Sequence, residues 1–180
     1  MAAVKTLVSE AKYLASMTGE KPALEFVNGE VFEKPLPMRP HNDVTKNFTT
    51  AFVSHTAAYG GYWTWEATTN LSADADRRYR VPDFAFWAAG RRIDSAGVYE
   101  PPTVAVEVRS EGQSMPELRA KCAEYLVAGV DLCWLVDPER RTVEVVARGA
   151  PARTLRSGDM LTSPSLPGFS LPVEQLWRAG

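Results

Sequence analysis

One stretch in the second half of the chain constrains the fold more than any other. The segment Thr103–Arg109 reads TVAVEVR, in which three valines alternate with other residues, as expected for a strand. The sequence Ser114–Glu117 has the capping-box pattern that begins a helix, and Gly129 is a typical residue just beyond a helix end. A strongly apolar strand follows at Leu132–Val136. Strands that flank a helix in this way indicate a mixed α/β sheet.

The first half of the chain predicts a hairpin, a long helix and two further strands. Residues of Leu24–Glu33 alternate around Asn28-Gly29, the dipeptide that best tolerates a type I′ turn. From His41 to Tyr59 there is no proline or glycine, and apolar residues recur at helical spacing. Strands are expected at Tyr62–Thr69 and Arg80–Trp87, the latter with a proline near its start.

The length and the ends of the chain suggest a simple organisation. With 180 residues the chain fits one domain, and we expect about the first 20 residues to be a helical or flexible extension. Prolines at 164, 167 and 172 predict a loop-rich tail before a short helix near Val173–Trp177. No apolar run approaches the roughly 20 residues of a membrane span, and no signal peptide is visible. We therefore expect a cytoplasmic protein that does not contact the membrane.

The charge balance limits the kind of nucleic-acid contact that is plausible. The 20 basic and 22 acidic residues give a net charge of −2, which argues against a dedicated basic coat protein. An enzyme that concentrates positive charge in one cleft is not excluded. His41 and His55, the two histidines of the sequence, are too few for a histidine-rich zinc site.

Asp83 and Glu107 are the strongest candidates for chemistry. Each lies on a predicted strand, so neighbouring strands could bring the two carboxylates together to hold a hard divalent cation such as Mg²⁺. The backbone carbonyl of Val108 could add a ligand, and a metal-bound water would have a lowered pKa. An isolated Asp or Glu is often a solvated surface residue, but Glu107 lies among valines, where a buried carboxylate needs a partner or a metal.

An ordered set of motifs carries a resemblance to a known family. The chain resembles the Uma-type restriction endonucleases, within the PD-(D/E)XK nuclease superfamily, from about residue 20 to residue 177. The matching segments are the hairpin sequence at 24–30, Val81-Pro82-Asp83, the segment Val106–Ser110, the helix sequence KCAEYLVAGV at 121–130, the strand sequence WLVDPE at 134–139, and the tail at 161–171.

The resemblance implies a fold, a reaction and a set of residues. The implied fold is α/β, a single restriction-endonuclease-like domain over residues 1–180, with a mixed central sheet flanked by helices and an N-terminal β-hairpin. The implied reaction is DNA phosphodiester hydrolysis with Mg²⁺, or Mn²⁺, by a homodimer. Asp83 and Glu107 match the metal-binding acids, Lys121 matches a catalytic lysine that has moved from the strand to the helix, and Glu25 matches an N-terminal acid that often joins the site.

Lys121 and Arg109 each allow more than one interpretation. Lys121 follows Glu117 by four residues, so it could form a surface ion pair on the helix instead of assisting the attacking water. Arg109 departs from the family pattern, which usually has an apolar residue there. Its side chain is expected to face the same way as Glu107, where it could clamp a phosphate or neutralise Glu107.

Two further contacts with the substrate are expected. His41 matches the histidine that precedes the long helix in the family, and it is either an exposed helix-start residue or a substrate contact. Arg80 belongs to a group of arginines around the Asp83 strand that could bind phosphates or simply be solvated. The other members of that group are Arg77, Arg78, Arg91 and Arg92.

Three classes of function therefore compete. The first is the metal-dependent endonuclease. The second is a weak or inactive nuclease-fold protein that binds nucleic acid or a protein partner, which Arg109 and the acidic balance favour. The third is a purely structural interaction domain, which would leave no reason for Glu107 to lie in an apolar strand.

Overall fold

The computed structural model describes residues 7–17, 22–93 and 97–179. Within these ranges the helices are α1 (Glu10–Ala15), α2 (Arg39–Tyr59), α3 (Met115–Val127) and a 3₁₀ helix (Val173–Trp177). The strands are β1 (Leu24–Val27), β2 (Glu30–Glu33), β3 (Tyr62–Trp65), β4 (Thr69–Asn70), β5 (Arg78–Arg80), β6 (Phe84–Trp87), β7 (Val104–Val108), β8 (Leu132–Asp137), β9 (Thr142–Ala147), β10 (Arg153–Leu155), β11 (Met160–Ser163) and β12 (Leu166–Pro172).

A six-stranded mixed sheet forms the centre of the fold, in the order β10-β9-β8-β7-β6-β3. The pair β7–β8 is parallel because α3 connects the two strands, and the other pairs are antiparallel. The valines of β7 pack with Phe48 and Phe52 of α2, whereas Ala105 packs with α3 on the opposite face. The predicted α/β class, with a mixed sheet flanked by helices, is confirmed.

The N-terminal hairpin belongs to a second, four-stranded sheet in the order β2-β1-β5-β4. Its turn is formed by Asn28 and Gly29, whose φ angles are +48° and +94°, as a type I′ turn requires. The predicted hairpin is therefore confirmed. Tyr13 of α1 packs against Phe26 and Tyr79 of this sheet. Of the extension predicted over about the first 20 residues, 1–6 and 18–20 lie outside the described residues.

The single strand predicted over Arg80–Trp87 is wrong, because this segment contains parts of two strands that belong to different sheets. The chain leaves the hairpin sheet after β5 and enters the central sheet at β6, with Val81–Asp83 as the connection. Pro82 has no N–H to donate to a strand ladder, so the pairing stops there. The break places Asp83 where the two sheets meet.

Two other segments differ from expectation. The strand predicted over Tyr62–Thr69 ends at Trp65, and Glu66 takes a left-handed φ of +49° before β4 begins. The tail predicted as loop-rich contains the hairpin β11–β12. Prolines are compatible with this hairpin because each strand of a two-stranded ribbon has one unpaired edge, where a missing donor is tolerated. The short helix at Val173–Trp177 is confirmed and is of the 3₁₀ type.

Candidate active site

Asp83 lies at the junction of the two sheets and is nearly inaccessible, with 5% of its surface exposed. Its Oδ2 accepts a 2.7 Å hydrogen bond from the Val108 amide. Its Oδ1 lies 2.7 Å from Lys34 Nζ and 3.2 Å from His41 Nε2. Burial opposes ionisation, but the Lys34 charge and the His41 hydrogen bond outweigh it and hold the pKa of Asp83 well below its usual range.

Glu107 is the neighbour of Asp83 across the sheet. In the β6–β7 register Phe84 pairs with Val106, so one residue further Asp83 falls opposite Glu107. Glu107 is 3% exposed and faces α3, where the Tyr125 hydroxyl donates to its Oε1 at 2.7 Å. Burial raises the pKa of Glu107, and the charges of Lys121 and Lys34 offset this only in part.

Glu25, on β1, is the third buried acid of the site. It accepts hydrogen bonds from Arg80 Nη1 at 2.8 Å, Lys121 Nζ at 2.9 Å and the Val81 amide at 3.2 Å. Burial alone would raise the pKa of Glu25, but the charges of Lys121, Arg80 and Lys34 lower it below the ordinary value. Glu25 therefore acts as a charged anchor for basic side chains.

Lys121 reaches inward from α3, so the structure does not show the surface pair with Glu117. Its Nζ lies 2.9 Å from Glu25 Oε1 and 3.8 Å from Glu107 Oε2. Glu117 instead completes the capping box, with its carboxylate accepting from the Ser114 amide at 2.6 Å. The helix thus places the ammonium of Lys121 between two of the buried acids.

Lys34 is a member of the site that sequence reasoning missed. Its side chain is buried and donates to Asp83 Oδ1 at 2.7 Å and to the Val81 carbonyl. Burial disfavours the charged form, but Asp83, Glu107 and Glu25 outweigh this and raise the pKa of Lys34. The hairpin register contained a signal: Glu25 pairs with Phe32, so Lys34, two residues on, shares the face of the sheet that carries Glu25.

His41, in the first turn of α2, is buried and contacts Asp83 through Nε2. Its Nδ1 lies 3.5 Å from Thr45 Oγ1. The alternative that His41 is an exposed helix-start residue is therefore wrong. His41 also lines two surface grooves, of about 380 and 510 Å³, and Asp83 lines the smaller of them.

Arg80, expected among the substrate contacts, is held by carboxylates of the protein. Its Nε and Nη2 both donate to Glu124, at 2.6 and 2.9 Å, while its Nη1 donates to Glu25. The guanidinium is thus bound by two carboxylates of the protein, and its contact with a phosphate stays a prediction. Arg78 also pairs with Glu124, and Arg91 pairs with Asp131 at 2.6 Å, so these arginines of the predicted group are likewise engaged.

Arg109 also lies elsewhere than expected, because its guanidinium does not neutralise Glu107. β7 ends at Val108, and the Arg109 amide donates to the Val136 carbonyl at 2.8 Å. The side chain reaches the end of β8, where Arg109 Nη2 lies 3.1 Å from Asp137 and also contacts Glu139. Glu107 therefore keeps its charge uncompensated by Arg109.

The donor chemistry of Asp83 and Glu107 fits a hard divalent cation. Mg²⁺ takes oxygen ligands and typically uses one or two carboxylates of the protein. The buried carboxylate of Glu107 accepts from the neutral hydroxyl of Tyr125 and lies 3.8 Å from the ammonium of Lys121, so an added cation would stabilise its charge. Among the described ranges no cluster of three or more His, Cys, Asp or Glu side chains suited to a metal is found, so the fit rests on this pair.

Comparison with known proteins identifies the family. The profile of the Uma2 family, described as "Putative restriction endonuclease", matches residues 11–174. The chain belongs to this family. The resemblance inferred from the motifs is therefore confirmed, and membership supports a nuclease.

A solved structure shares the fold. It is described as a "putative nuclease belonging to DUF820" from Anabaena variabilis, and it matches with a TM-score of 0.80 and 18% identity over 94% of this chain and 97% of that one. At this identity the likeness shows the fold alone. No curated protein matches the chain. In the described part of the chain, none of the helices has the length and apolar character needed to cross a membrane.

Proposed function

We propose that this member of the Uma2 family is a Mg²⁺-dependent endonuclease that hydrolyses DNA phosphodiester bonds. One observation carries the proposal: Asp83 directly precedes β6 and continues the β6–β7 register toward Glu107, at a buried junction that Lys121 also reaches. Buried carboxylates beside a lysine, in a fold shared with a protein described as a "putative nuclease", suit metal-assisted hydrolysis better than a structural role.

Asp83 and Glu107 would hold the Mg²⁺, or Mn²⁺, with the Val108 carbonyl as a further ligand. When bound, the ion would lower the pKa of a coordinated water and stabilise negative charge on the phosphate. The Val108 amide already fixes Asp83, which orients one carboxylate before any cation arrives. Lys34 already donates a hydrogen bond to Asp83 Oδ1, so this bond would have to lengthen or break when the cation binds to the same oxygen.

Lys121 would orient the attacking water or stabilise the charge that builds on the phosphate. Glu25 holds its ammonium at 2.9 Å, and Arg80 in turn holds Glu25 at 2.8 Å. Glu124 completes the chain of ion pairs by binding Arg80. Glu25 and Arg80 thus position Lys121.

His41 and Arg109 would contact the DNA. Both line the groove of about 510 Å³ beside the buried acids. Arg109 is held by the buried Asp137 and by the exposed Glu139, so a phosphate could replace Glu139 without leaving Asp137 unpaired. Arg109 would then bind the DNA backbone without sequence preference.

A second candidate function is supported by Lys34. Its ammonium already neutralises Asp83, which would weaken metal binding and leave a nuclease fold that binds nucleic acid or a protein partner without cleaving. Plasmid nicking in Mg²⁺ or Mn²⁺ separates the two functions, because cleavage supports the endonuclease whereas binding without cleavage supports the alternative.

The nicking assay compares the wild-type protein with Asp83→Asn and Glu107→Gln. Each variant removes one proposed ligand, and we expect cleavage to fall by at least ~100-fold, above the range seen for residues that only support a ligand. Asp74→Asn is the matched control, because Asp74 is exposed and has a positive φ that asparagine tolerates. Metal-dependent cleavage that survives in Glu107→Gln would contradict the proposed site.

The homodimer and the cytoplasmic location stay predictions. Light scattering of the purified protein tests the first, since a dimer has twice the chain mass of 19.8 kDa. Imaging of the tagged full chain in its own cell tests the second.

A further inference from the structure

A groove beside Asp83 carries an exposed tryptophan that the proposed chemistry does not use. The groove, of about 380 Å³, is lined by His41 and Asp83, by Lys46 and Thr49 of α2, and by Trp65 at the end of β3. In the β3–β6 register Trp65 pairs with Phe84, the residue directly after Asp83. Trp65 therefore lies next to Asp83, the proposed metal ligand, at the wall of this groove.

Trp65 is held in place yet remains open to solvent. Its indole N–H donates to Thr49 Oγ1 at 3.0 Å, and Trp63 packs against it edge-on with ring centroids 5.0 Å apart. Nevertheless 47% of Trp65 is exposed. A large aromatic ring that is oriented in advance and half exposed loses little conformational entropy when a planar ligand stacks on it.

We propose that Trp65 and the adjoining face of α2 form a stacking subsite for an unpaired nucleobase that flanks the cleaved phosphate, which makes single-stranded DNA the preferred ligand. This rests on the proposed nuclease function. In a duplex the faces of the bases are covered by their neighbours, and only their edges are accessible in the grooves. An indole beside the reacting phosphate can stack only on a base that is single-stranded or has left the helix.

The charge distribution supports the same ligand. Duplex binding without sequence preference relies on several basic phosphate contacts, whereas this chain has a net charge of −2 and engages Arg78, Arg80 and Arg91 in internal ion pairs. Stacking supplies affinity that does not depend on net charge. The exposed Lys46 provides a cation in the groove for a phosphate of the bound strand.

The test measures the Kd of a fluorescein-labelled single strand and of the matching duplex by fluorescence anisotropy in EDTA, where metal-dependent cleavage is blocked. We expect the wild-type protein to bind the single strand more tightly. Trp65→Ala should weaken single-strand binding by about fivefold or more, and Trp65→Phe should restore most of it because phenylalanine keeps a stacking face. Duplex binding should change by less than about twofold.

Tyr62→Ala is the matched control. Tyr62 is also aromatic, 40% exposed and on β3, but it lies at the other end of the strand and stacks with Tyr99. It should leave single-strand binding unchanged. Equal binding of the single strand by the wild-type protein and Trp65→Ala would overturn the subsite, as would equal losses for single strand and duplex, or no single-strand binding by the wild-type protein.

The same DNA in Mg²⁺ separates this inference from the proposed function. Trp65-dependent binding without cleavage would retain the subsite and refute the nuclease. Cleavage with binding that does not depend on Trp65 would retain the nuclease and refute the subsite. Melting temperatures of the Trp65 variants show whether the fold is kept. If Trp65→Ala unfolds, Trp65→Leu replaces it, because leucine keeps an apolar side chain but has no stacking face.

Discussion

Asp83, just before β6, and Glu107, on the adjacent β7, are almost equally buried, but their charges are supported very differently. Asp83 contacts an ammonium, an imidazole and a backbone amide, and its pKa is held well below the ordinary value. Glu107 accepts from a tyrosine hydroxyl and lies 3.8 Å from Lys121, and its pKa is raised. Burial is common to both, so the difference comes from the partners.

This contrast separates the roles of the two acids. Asp83 is charged and fixed without a metal, so it suits an orienting ligand. Glu107 carries a buried charge that the protein compensates incompletely, so it is the acid that gains most from a divalent cation. Without the cation, the incompletely compensated charge of Glu107 lowers the stability of the folded protein.

The largest expected effect is on the stability of the metal-free protein. Asp83→Asn leaves Lys34 buried without its counter-charge, which should lower the free energy of unfolding by about 3–5 kcal/mol. Glu107→Gln removes an incompletely compensated charge and keeps an acceptor for Tyr125, so it should change stability by less than ~1 kcal/mol or increase it. Urea unfolding in EDTA measures both.

Glu107 and Asp83 should also make the stability of the protein depend on pH with opposite signs. The folded pKa of Glu107 is raised, so above the unfolded value of about 4.3 the folded state binds more protons and its stability falls as pH rises. The stability of Glu107→Gln relative to the wild-type protein should therefore increase above about pH 4.3. The lowered pKa of Asp83 has the opposite sign: its contribution is present above about pH 3.9 and is lost below it. If Asp83→Asn and Glu107→Gln changed the stability by the same amount at every pH, the proposed difference between the two acids would be contradicted.

A smaller effect is expected for Lys34→Met, which removes the ammonium that competes for Asp83. The metal-free variant should melt at a lower temperature because Asp83 loses its counter-charge, and Mg²⁺ should raise its melting temperature more than that of the wild-type protein. Thermal unfolding with and without Mg²⁺ measures this. Lys12→Met, at an exposed position on α1, is the matched control. A smaller Mg²⁺ effect in Lys34→Met would show that Lys34 supports the metal instead of competing with it.

Local sequence pattern predicted the strand that carries Glu107, the capped helix that carries Lys121 and the hairpin that carries Glu25. Each of these depends on alternation, capping or turn chemistry within a short segment. The break at Pro82 was not predicted because a proline is also tolerated near the start of a continuous strand, although the two flanking strands belong to different sheets.

The partners of the basic residues could not be predicted in the same way. Lys34, Arg80 and Arg109 look alike in sequence, as basic residues beside predicted strands. Their partners are separated from them by 28 to 55 residues, as in the pairs Arg109–Asp137, Lys34–Asp83 and Arg80–Glu25. Such pairings are set by the tertiary arrangement of the two sheets, which no local pattern contains.

Calorimetric titration with Mn²⁺ tests the cation site most directly. The titration is done at several pH values above the ordinary glutamate pKa of about 4.3, in two buffers of different ionisation enthalpy, so that any proton released on binding is counted. The account predicts that the wild-type protein binds the ion and releases protons from Glu107, and that Glu107→Gln binds more weakly without that release. Binding of equal affinity and proton release in both proteins would contradict the account.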